Sequence, residues 1–322
     1  MRRLLALLLP ALLLTVAGCG GDSSKSTSDP KSSVDMGDTI KGLSVSGDFG
    51  KEPKLTVNPA VKVDKPVTQV ISAGSGNPVL AGKKAMFNIY LANGADGKKI
   101  YSDLDQGTPM QKRMKEDEFF KVLIDAMTGK PRGSRVAVAA TVEDVWGSAG
   151  APQLKLKKTD TVVFVIDILS VEPTKVLSGP KGKTVKAPAT APVVKQTGAK
   201  VTGLDFAKAP AKPPTKLQVI PLVQGTGPKA VAGRLVTFNY YGAVWGAKAP
   251  FDSSFSRGVP EPFGVGVNGL IPAWDKTIPG LRVGSRVLII APPADAYGSR
   301  AQAKIPANST LVFVVDVLGV DS

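Results

Sequence analysis

Residues 310–318, TLVFVVDVL, form an almost unbroken apolar run that recurs at residues 161–169 as TVVFVIDIL. Six of the nine positions are identical, and an Asp interrupts both runs at the same place. Short runs of branched and aromatic residues such as these are typical of buried β-strands. The chain therefore contains the same predicted strand twice, 149 residues apart.

The similarity extends to both sides of this strand. AGKKAMFNIY (81–90) matches AGRLVTFNYY (232–241), and GSRVAVAATVEDVWG (133–147) matches GSRVLIIAPPADAYG (284–298). Both of these pairs are 151 residues apart. A spacing that stays nearly constant over this length indicates an internal duplication and predicts two domains of one fold.

The two repeats, residues 41–172 and 197–322, consist mostly of short strand-like segments. One short helix is predicted in the second repeat. It begins at Pro272, a residue type favoured at the first helical position, and stops before Pro279 and Gly280. Strands that do not alternate with helices favour an antiparallel sheet, so the predicted fold class is α+β.

Two polar segments flank the repeats. Residues 19–40 are rich in Ser, Asp, Lys and Gly and have little to bury, which predicts a flexible tether. Residues 173–196 contain five Lys, four Pro and no acidic residue, which predicts an extended, self-repelling linker.

The first residues have the pattern of an export signal. Residues 1–18 contain two arginines followed by an apolar stretch that is short for a bilayer span. The sequence VAGC at residues 16–19 resembles the bacterial lipoprotein cleavage box, which implies removal of residues 1–18 and a lipid on Cys19. Such a lipid would anchor the chain at the outer face of the cytoplasmic membrane. The alternative is a plain secretory signal followed by an incidental Cys.

The composition excludes several kinds of chemistry. The chain has no His and one Cys, so mechanisms that need an imidazole, an intramolecular disulfide or several thiolates are closed to it. We therefore expect no metal and no cofactor. The net charge of +15 suggests an anionic neighbour. The aromatic residues are not interleaved with basic ones as in surfaces that stack bases, so no nucleic-acid partner is predicted.

The second repeat contains a series of motifs in a distinctive order. They are FDSS (251–254), LIPAWD (270–275), APPADAYG (291–298) and TLVF (310–313). This order and spacing resemble the FKBP-type peptidyl-prolyl cis-trans isomerases. The resemblance covers the whole second repeat and implies two FKBP-like domains, each an antiparallel sheet curled around one short helix. It also implies rotation of Xaa-Pro peptide bonds as the activity.

The residue types are suited to that reaction. Amide resonance opposes rotation about an Xaa-Pro bond with a barrier of about 18–20 kcal/mol. Because resonance separates charge, water favours the planar amide, and an apolar, aromatic-lined pocket removes that preference. Hydrogen-bond donors placed on the carbonyls then stabilise the twisted geometry. The reaction therefore requires no nucleophile, metal or titrating base.

The resemblance implies a role for each candidate residue. Trp274 would form the floor beneath the proline ring, while the Ile271 N–H and the Tyr297 hydroxyl would donate to carbonyls. Phe251 and Asp252 would lie beside the twisted carbonyl. The other candidates are the walls Tyr240, Phe263, Leu270 and Phe313, the Asp252 partner Arg257, and Ile305 on the loop over the site. Taken singly, the aromatic residues could equally be plain core, Asp252 a turn or cap residue, and Tyr297 a turn residue.

Four features depart from the family pattern. Ala273 stands where the family usually has Gly, and the loop from Phe263 to Trp274 is shorter than usual. Residues 258–260 are an insertion, and a His common before Ile305 is absent. These differences bear on peptide preference and turnover more than on the class of reaction.

The first repeat keeps the scaffold positions but has lost most of the pocket. Its residues at the eight pocket positions are Ile89, Ile100, Tyr101, Lys112, Phe120, Leu123, Trp146 and Phe164. Residues 110–123 are also more charged and more helix-prone than their counterparts. We interpret this repeat as a degenerate FKBP-like domain that serves as a binding or spacing module. The alternative is a divergent but active isomerase.

The resemblance thus implies an anchored isomerase that acts on proline-containing exported polypeptides and has the family's macrolides as ligands. The alternative is a non-catalytic peptide-binding chaperone or adhesion module. A third hypothesis is a spacer that binds anionic wall polymer through the Lys-rich linker, which predicts salt-sensitive binding.

Overall fold

The computed structural model describes residues 35–321, in which two domains have the same order of strands apart from one additional strand in the second. The elements of the first domain are β1 (Leu43–Ser46), β2 (Lys54–Val57), β3 (Val67–Ser72), β4 (Lys84–Asn93), β5 (Lys99–Ser102), β6 (Met110–Arg113), α1 (Lys121–Met127), β7 (Arg135–Thr141), α2 (Val142–Trp146) and β8 (Thr161–Val171). The elements of the second are β9 (Gly182–Thr184), β10 (Val193–Thr197), β11 (Lys200–Asp205), β12 (Gln218–Gly225), β13 (Arg234–Val244), β14 (Asp252–Ser253), α3 (Ser254–Arg257), β15 (Glu261–Val265), α4 (Pro272–Thr277), β16 (Arg286–Ala291) and β17 (Leu311–Val320). The predicted signal peptide, Cys19 and most of the predicted tether lie outside the described residues.

Each domain is built on an antiparallel sheet. The first sheet has the order β3-β7-β8-β4-β5, and β6 also pairs with β4. The second has the order β14-β13-β17-β16-β12-β9, and β15 also pairs with β13. A separate hairpin, β1–β2 or β10–β11, accompanies each sheet. The predicted α+β class with antiparallel sheets and short helices is confirmed.

The strand registers agree with the spacing of the repeats. Tyr240 lies opposite Val315 in the second sheet, and Ile89 lies opposite Ile166 in the first. These residues are separated by the same offsets, 151 and 149, that relate the two sequences. The sequence alignment of the repeats is therefore also their structural alignment, and pocket positions can be compared one by one.

The central strand β17 is apolar along its length because both of its faces are covered. Successive residues of a strand point to opposite faces. Phe313 and Val315 belong to a cluster with Trp274 on the α4 side of the sheet. Val312 and Val314 belong to a second cluster, which includes buried residues of the β10–β11 hairpin. The hairpin thus explains why the strand shows an unbroken apolar run rather than an alternating pattern.

A buried ion pair accounts for the Asp within each apolar run. Arg286 donates to Asp316 from Nε at 2.5 Å and from Nη2 at 2.7 Å, and both side chains are at most 4% exposed. Nη2 also donates to the Ala199 carbonyl, in the turn of the hairpin, at 2.6 Å. Arg135 and Asp167 form the same two-point pair in the first domain, at 2.6 and 2.7 Å. The pair compensates a buried carboxylate and ties the hairpin to the sheet.

The predicted linker, residues 173–196, is not an extended free segment in the structure. The Leu177 N–H donates to the Leu318 carbonyl at 2.9 Å, and the Lys181 N–H donates to the Gly284 carbonyl at 2.8 Å. β9 then pairs with β12, and β10 forms half of the hairpin. The composition misled because the five lysines are exposed while the backbone pairs with the edge of the second sheet.

The end of the predicted tether likewise belongs to the first domain. The Asp38 N–H donates to the Thr68 carbonyl at 3.0 Å, and the Val70 N–H donates to the Met36 carbonyl at 2.8 Å. Ile40 is 1% exposed in a cluster on the outer face of the first sheet. The first domain therefore begins before residue 41, because this backbone covers the edge of β3.

The two domains are in direct contact. Asp321 is buried and accepts hydrogen bonds from the Ser170 hydroxyl at 2.6 Å and from the Val171 N–H at 3.0 Å. Arg234 donates to the Leu169 carbonyl at 2.8 Å. These contacts join the end of β8 to the second sheet.

Within residues 35–321, no helix is long and apolar enough to cross a bilayer.

Candidate active site

Helix α4 places Trp274 over the inner face of the second sheet. Pro272 occupies the first turn, and Ile271 before it has extended backbone with φ −64° and ψ 149°. Ala273 and Trp274 then face inward, and Trp274 is 5% exposed. The predicted helix is confirmed, and it ends near Ile278 as expected from the Pro-Gly that follows.

Four aromatic rings surround the Trp274 indole, all at steep angles to it. Their centroids lie 5.4–6.3 Å from that of the indole, with interplanar angles of 72–88°. The four are Phe238, Tyr240, Phe263 and Phe313. Such edge-to-face contacts are favourable beyond the area that they bury. The result is a rigid aromatic box with the indole at its centre.

One polar group closes the box on the side of strand β14. The Tyr240 hydroxyl donates to Asp252 Oδ2 at 2.5 Å, and Arg257 donates from Nη2 to the same hydroxyl at 2.9 Å. Arg257 Nη1 also donates to Asp252 Oδ1. The cap of the following helix α3 is Ser253, not Asp252, because its hydroxyl accepts from the Ser256 N–H. Asp252 is therefore neither a turn nor a cap residue but the centre of this triad.

The triad fixes the charge states of its members. Partial burial opposes ionisation of Asp252, but the hydrogen bonds from Tyr240 and Arg257 outweigh it and lower the pKa of Asp252. Burial and the bond to Asp252 raise the pKa of Tyr240 to about 12. The hydrogen bond with Tyr240 and the Asp252 carboxylate raise the pKa of Arg257. The group is thus an ion pair bridged by a neutral phenol.

Two hydrogen-bond donors at the rim of the box have no partner within residues 35–321. They are the backbone N–H of Ile271, just before α4, and the hydroxyl of Tyr297, whose side chain is 39% exposed. Burial of the ring and the charge of Asp252 raise the pKa of Tyr297, so its hydroxyl retains its proton at neutral pH. These are the two groups that the family resemblance implied as donors to substrate carbonyls.

The remaining predicted residues lie around the same box. The Phe251 ring is edge-to-face with that of Phe313 at 5.7 Å. Leu270 and Ile271 are partly buried against the cluster that contains Trp274. Ile305 is 6% exposed in that cluster. The structure therefore brings all eleven predicted residues of the second repeat together, while Cys19 lies outside the described residues.

Two aromatic rings lie close to the backbone of Gly242. A Cβ at Gly242 on β13 would lie 2.8 Å from the Phe251 ring and 3.0 Å from the Phe313 ring. Because no real side chain tolerates both contacts, only glycine lets Phe251 pack beside Phe313 here.

Sequence reasoning missed residues that shape the site from behind. Phe238, fully buried, packs edge-on against Trp274 at 5.5 Å. Asp275 accepts from the Gly266 N–H at 2.7 Å and from the Leu270 N–H at 3.3 Å, which holds the loop before α4. Asp275 could have been chosen as a candidate from the sequence, since it is the last residue of the LIPAWD motif. Its role in holding the loop is visible only from the contacts.

In the first domain, bulky residues fill the corresponding space. Trp146, which stands at the Tyr297 position, packs against Phe120 at 5.8 Å and against Phe164 at 6.1 Å. Leu123 replaces the central indole and is fully buried. Tyr101 donates to Asp103 at 2.5 Å, so the hydroxyl and the carboxylate occupy different positions from those in the second domain.

The helical tendency of residues 110–123 is realised only in part. Residues 110–113 form strand β6, which pairs with β4 as β15 pairs with β13. Helix α1 begins at Lys121. The free edge of β4 overrides local helix propensity, because its unpaired backbone groups gain partners from β6.

The chain is similar to known proteins of one family. The model of the family described as FKBP-type peptidyl-prolyl cis-trans isomerase matches residues 76–169 and 227–318, together more than half of the chain. The "FK506-binding protein" of Streptomyces anulatus is 37% identical over 111 residues, which are 34% of this chain and 90% of that protein. FkpA of Escherichia coli is 37% identical over 103 residues, which are 32% of this chain and 36% of that protein. The crystal structure of AtFKBP13 covers 33% of this chain and 94% of its own, with a TM-score of 0.31 and 34% identity.

The family-model match, which covers both domains and more than half of the chain, shows the class of the protein. The chain belongs to the FKBP-type peptidyl-prolyl cis-trans isomerases and contains two domains of that family.

Proposed function

We propose that the second domain catalyses prolyl isomerisation in exported polypeptides and that the first domain does not. The observation that carries this proposal is the pairing of an aromatic box with two unpartnered donors, the Ile271 N–H and the Tyr297 hydroxyl. The first domain has no such combination, since Trp146 and Phe120 fill the same space. This distribution favours one active and one degenerate repeat.

The proposed mechanism follows from the properties of the amide. The proline ring enters the box against Trp274, where removal of water weakens the preference for the planar, charge-separated amide. The Ile271 N–H and the Tyr297 hydroxyl donate to the carbonyls that flank the rotating bond and stabilise the twisted geometry. No bond is made or broken, and no proton is transferred.

In this mechanism the Asp252 triad has a positioning role. Asp252 and Arg257 hold the Tyr240 hydroxyl, so that its ring stays edge-on to Trp274. The charges of Asp252 and Arg257 compensate each other. This side of the box therefore has no net charge that would disfavour binding of the apolar proline ring.

The proposed partners follow from the same site. Proline-containing segments of exported chains are the substrates, and macrolides of the FK506 type, after which relatives are named, compete with them. Cys19 anchors the chain by a lipid at the outer face of the bacterial cytoplasmic membrane, which is supported by the signal-like residues 1–18. Slow Xaa-Pro isomerisation limits folding of many chains, so an anchored isomerase would assist proteins as they emerge.

Two experiments test this proposal. Refolding of a proline-limited substrate protein by the full chain should be accelerated, and FK506 should abolish the acceleration. Holding of unfolded chains without acceleration would instead favour the peptide-binding chaperone. For the anchor, Cys19→Ala should move the chain from the membrane to the soluble fraction and abolish incorporation of labelled fatty acid; persistence of both would overturn the lipid assignment.

A further inference from the structure

Strand β15, which carries the pocket wall Phe263, is contacted by the first domain at three successive residues. Lys84 Nζ donates to the Pro262 carbonyl at 2.8 Å and lies 5.2 Å from the centre of the Phe263 ring. Gln111 Oε1 accepts from the Gly264 N–H at 2.9 Å. Lys84 and Gln111 belong to β4 and β6, so the edge of the first domain lies against the wall of the second domain's site.

The contact leaves little space beside Gly264. A Cβ at Gly264 would lie 2.6 Å from Met86 Sδ and 3.0 Å from Gln111 Nε2, both in the first domain. The backbone at Gly264 does not have a positive φ, so no turn requires a glycine there. The first domain and β15 are therefore fitted to each other across this boundary.

The repeat symmetry is broken at the contact residue. Lys84 stands where the second domain has Leu235, which is fully buried. The Lys84 ammonium lies over the aromatic ring of Phe263 in the second domain, which is a favourable arrangement. Burial together with the nearby Arg113 lowers the pKa of Lys84, which is consistent with a group enclosed between domains.

A second pair strengthens the same boundary. Arg113 Nη2 lies 3.7 Å from Glu261 Oε2 at the start of β15. Arg113 occupies the first-domain position that corresponds to Gly264. Side chains of the first domain thus contact β15 from Glu261 to Gly264. This segment lies immediately before the loop that leads to Leu270 and α4.

We propose that the degenerate domain is a structural part of the isomerase site, with Lys84 and Gln111 as positioning residues that hold the Phe263 wall. This inference rests on the proposed catalytic function of the second domain. It gives the first domain a task other than binding its own peptide: it fixes the width of its neighbour's pocket. A site held by rigid neighbours loses affinity when a wall is released.

The test uses the full chain and compares Lys84→Met and Gln111→Leu with the control Lys83→Met. Lys83 pairs with Glu172 of the first domain at 3.0 Å, and its side chain is half exposed. Loss of one positioning contact should raise KM for an Xaa-Pro peptide about fivefold, with kcat nearly unchanged. A variant that merely loses folded protein would instead lower the apparent kcat at constant KM. The exchange rate of the Gly264 amide proton gives a readout independent of catalysis, and it should rise in Gln111→Leu.

The outcomes separate the two proposals. If the wild-type chain is inactive, the proposed function fails and this inference fails with it. If the wild type is active and all three variants share its KM and its Gly264 exchange rate, the inference alone is overturned. An equal rise of KM in Lys83→Met and Lys84→Met would also overturn it, because the effect would then reflect net charge rather than position.

Discussion

The hydroxyl of Tyr240 donates a 2.5 Å hydrogen bond to the carboxylate of Asp252, and Arg257 donates to both partners. The side chain of Tyr240 spans from this polar triad to Trp274, whose ring it meets at 87°. One wall of the pocket is therefore positioned by a charged pair at its outer end, because the phenol is held by two ionic neighbours.

Replacement of Asp252 by Asn should reduce catalysis. The amide keeps the size of the side chain but removes the charge that pairs with Arg257, so Tyr240 loses its fixed orientation. Hydrogen bonds to charged groups contribute about 1.5–3 kcal/mol, so kcat/KM should fall about tenfold or more. Isomerisation of an Xaa-Pro peptide checks this, with Asp125→Asn, in an exposed ion pair of the first domain, as control. Equal activity of both variants would contradict a role for the triad.

The rate should be independent of pH across the neutral range. The pKa of Asp252 is lowered, so the carboxylate is charged at every pH above the ordinary pKa of an Asp. It loses its charge only as the pH falls through the lowered value. Burial and the bond to Asp252 raise the pKa of Tyr240 to about 12, and the chain has no His. Between about pH 5 and pH 9, neither Asp252 nor Tyr240 changes its charge. We expect a flat profile of kcat/KM over that interval. A bell-shaped profile centred near neutrality would contradict catalysis without proton transfer.

Tyr297→Phe should lower the rate without affecting the fold. The Tyr297 hydroxyl makes no hydrogen bond within residues 35–321, so its removal costs the folded protein little. Loss of one neutral donor in the transition state should reduce kcat by about fivefold. Measurement of kcat checks the lowered rate, and a thermal unfolding curve checks that the fold is unaffected. An unchanged kcat would remove Tyr297 from the proposed mechanism.

Asp316→Ala should destabilise the second domain strongly. The variant leaves Arg286 buried, at 4% side-chain exposure, without its carboxylate partner. Breaking a buried pair in this way costs about 3–5 kcal/mol. Denaturant unfolding of the full chain should show an early transition. The matched control Asp125→Ala removes an exposed i,i+4 pair and should cost less than about 0.5 kcal/mol. Similar midpoints for both variants would contradict the structural role of the buried pair.

Much of the fold and pocket was predictable because the informative signals are local or repeated. Trp274 is preceded by a helix start at Pro272, and the strand registers keep the offsets of the repeats. Several motifs in the family's order predict that their residues meet in one pocket, even where each residue alone would fit a plain core. Phe251, which is distant from Phe313 in sequence, could be placed only through that set.

The rest depended on contacts that composition does not encode. Residues 173–196 look like a linker by their lysines, but their backbone N–H and carbonyl groups pair with the second sheet. The docking of Lys84 on Phe263 joins residues of different repeats, so it follows from the relative placement of two sheets. Asp316 was conspicuous in the sequence, whereas its partner on a neighbouring strand and the hairpin carbonyl of Ala199 were not.

The central claim is that catalysis belongs to the aromatic box of the second domain, and a matched pair of Trp→Leu variants tests it most directly. Trp274→Leu introduces the residue that the first domain already tolerates, fully buried, at Leu123. Trp146→Leu makes the same change in the first domain. Prolyl isomerisation by the full chain should fall to the uncatalysed rate in Trp274→Leu and remain at the wild-type rate in Trp146→Leu. Wild-type activity of Trp274→Leu in a folded chain, or loss of activity in a Trp146→Leu chain whose first domain is folded, would contradict the claim.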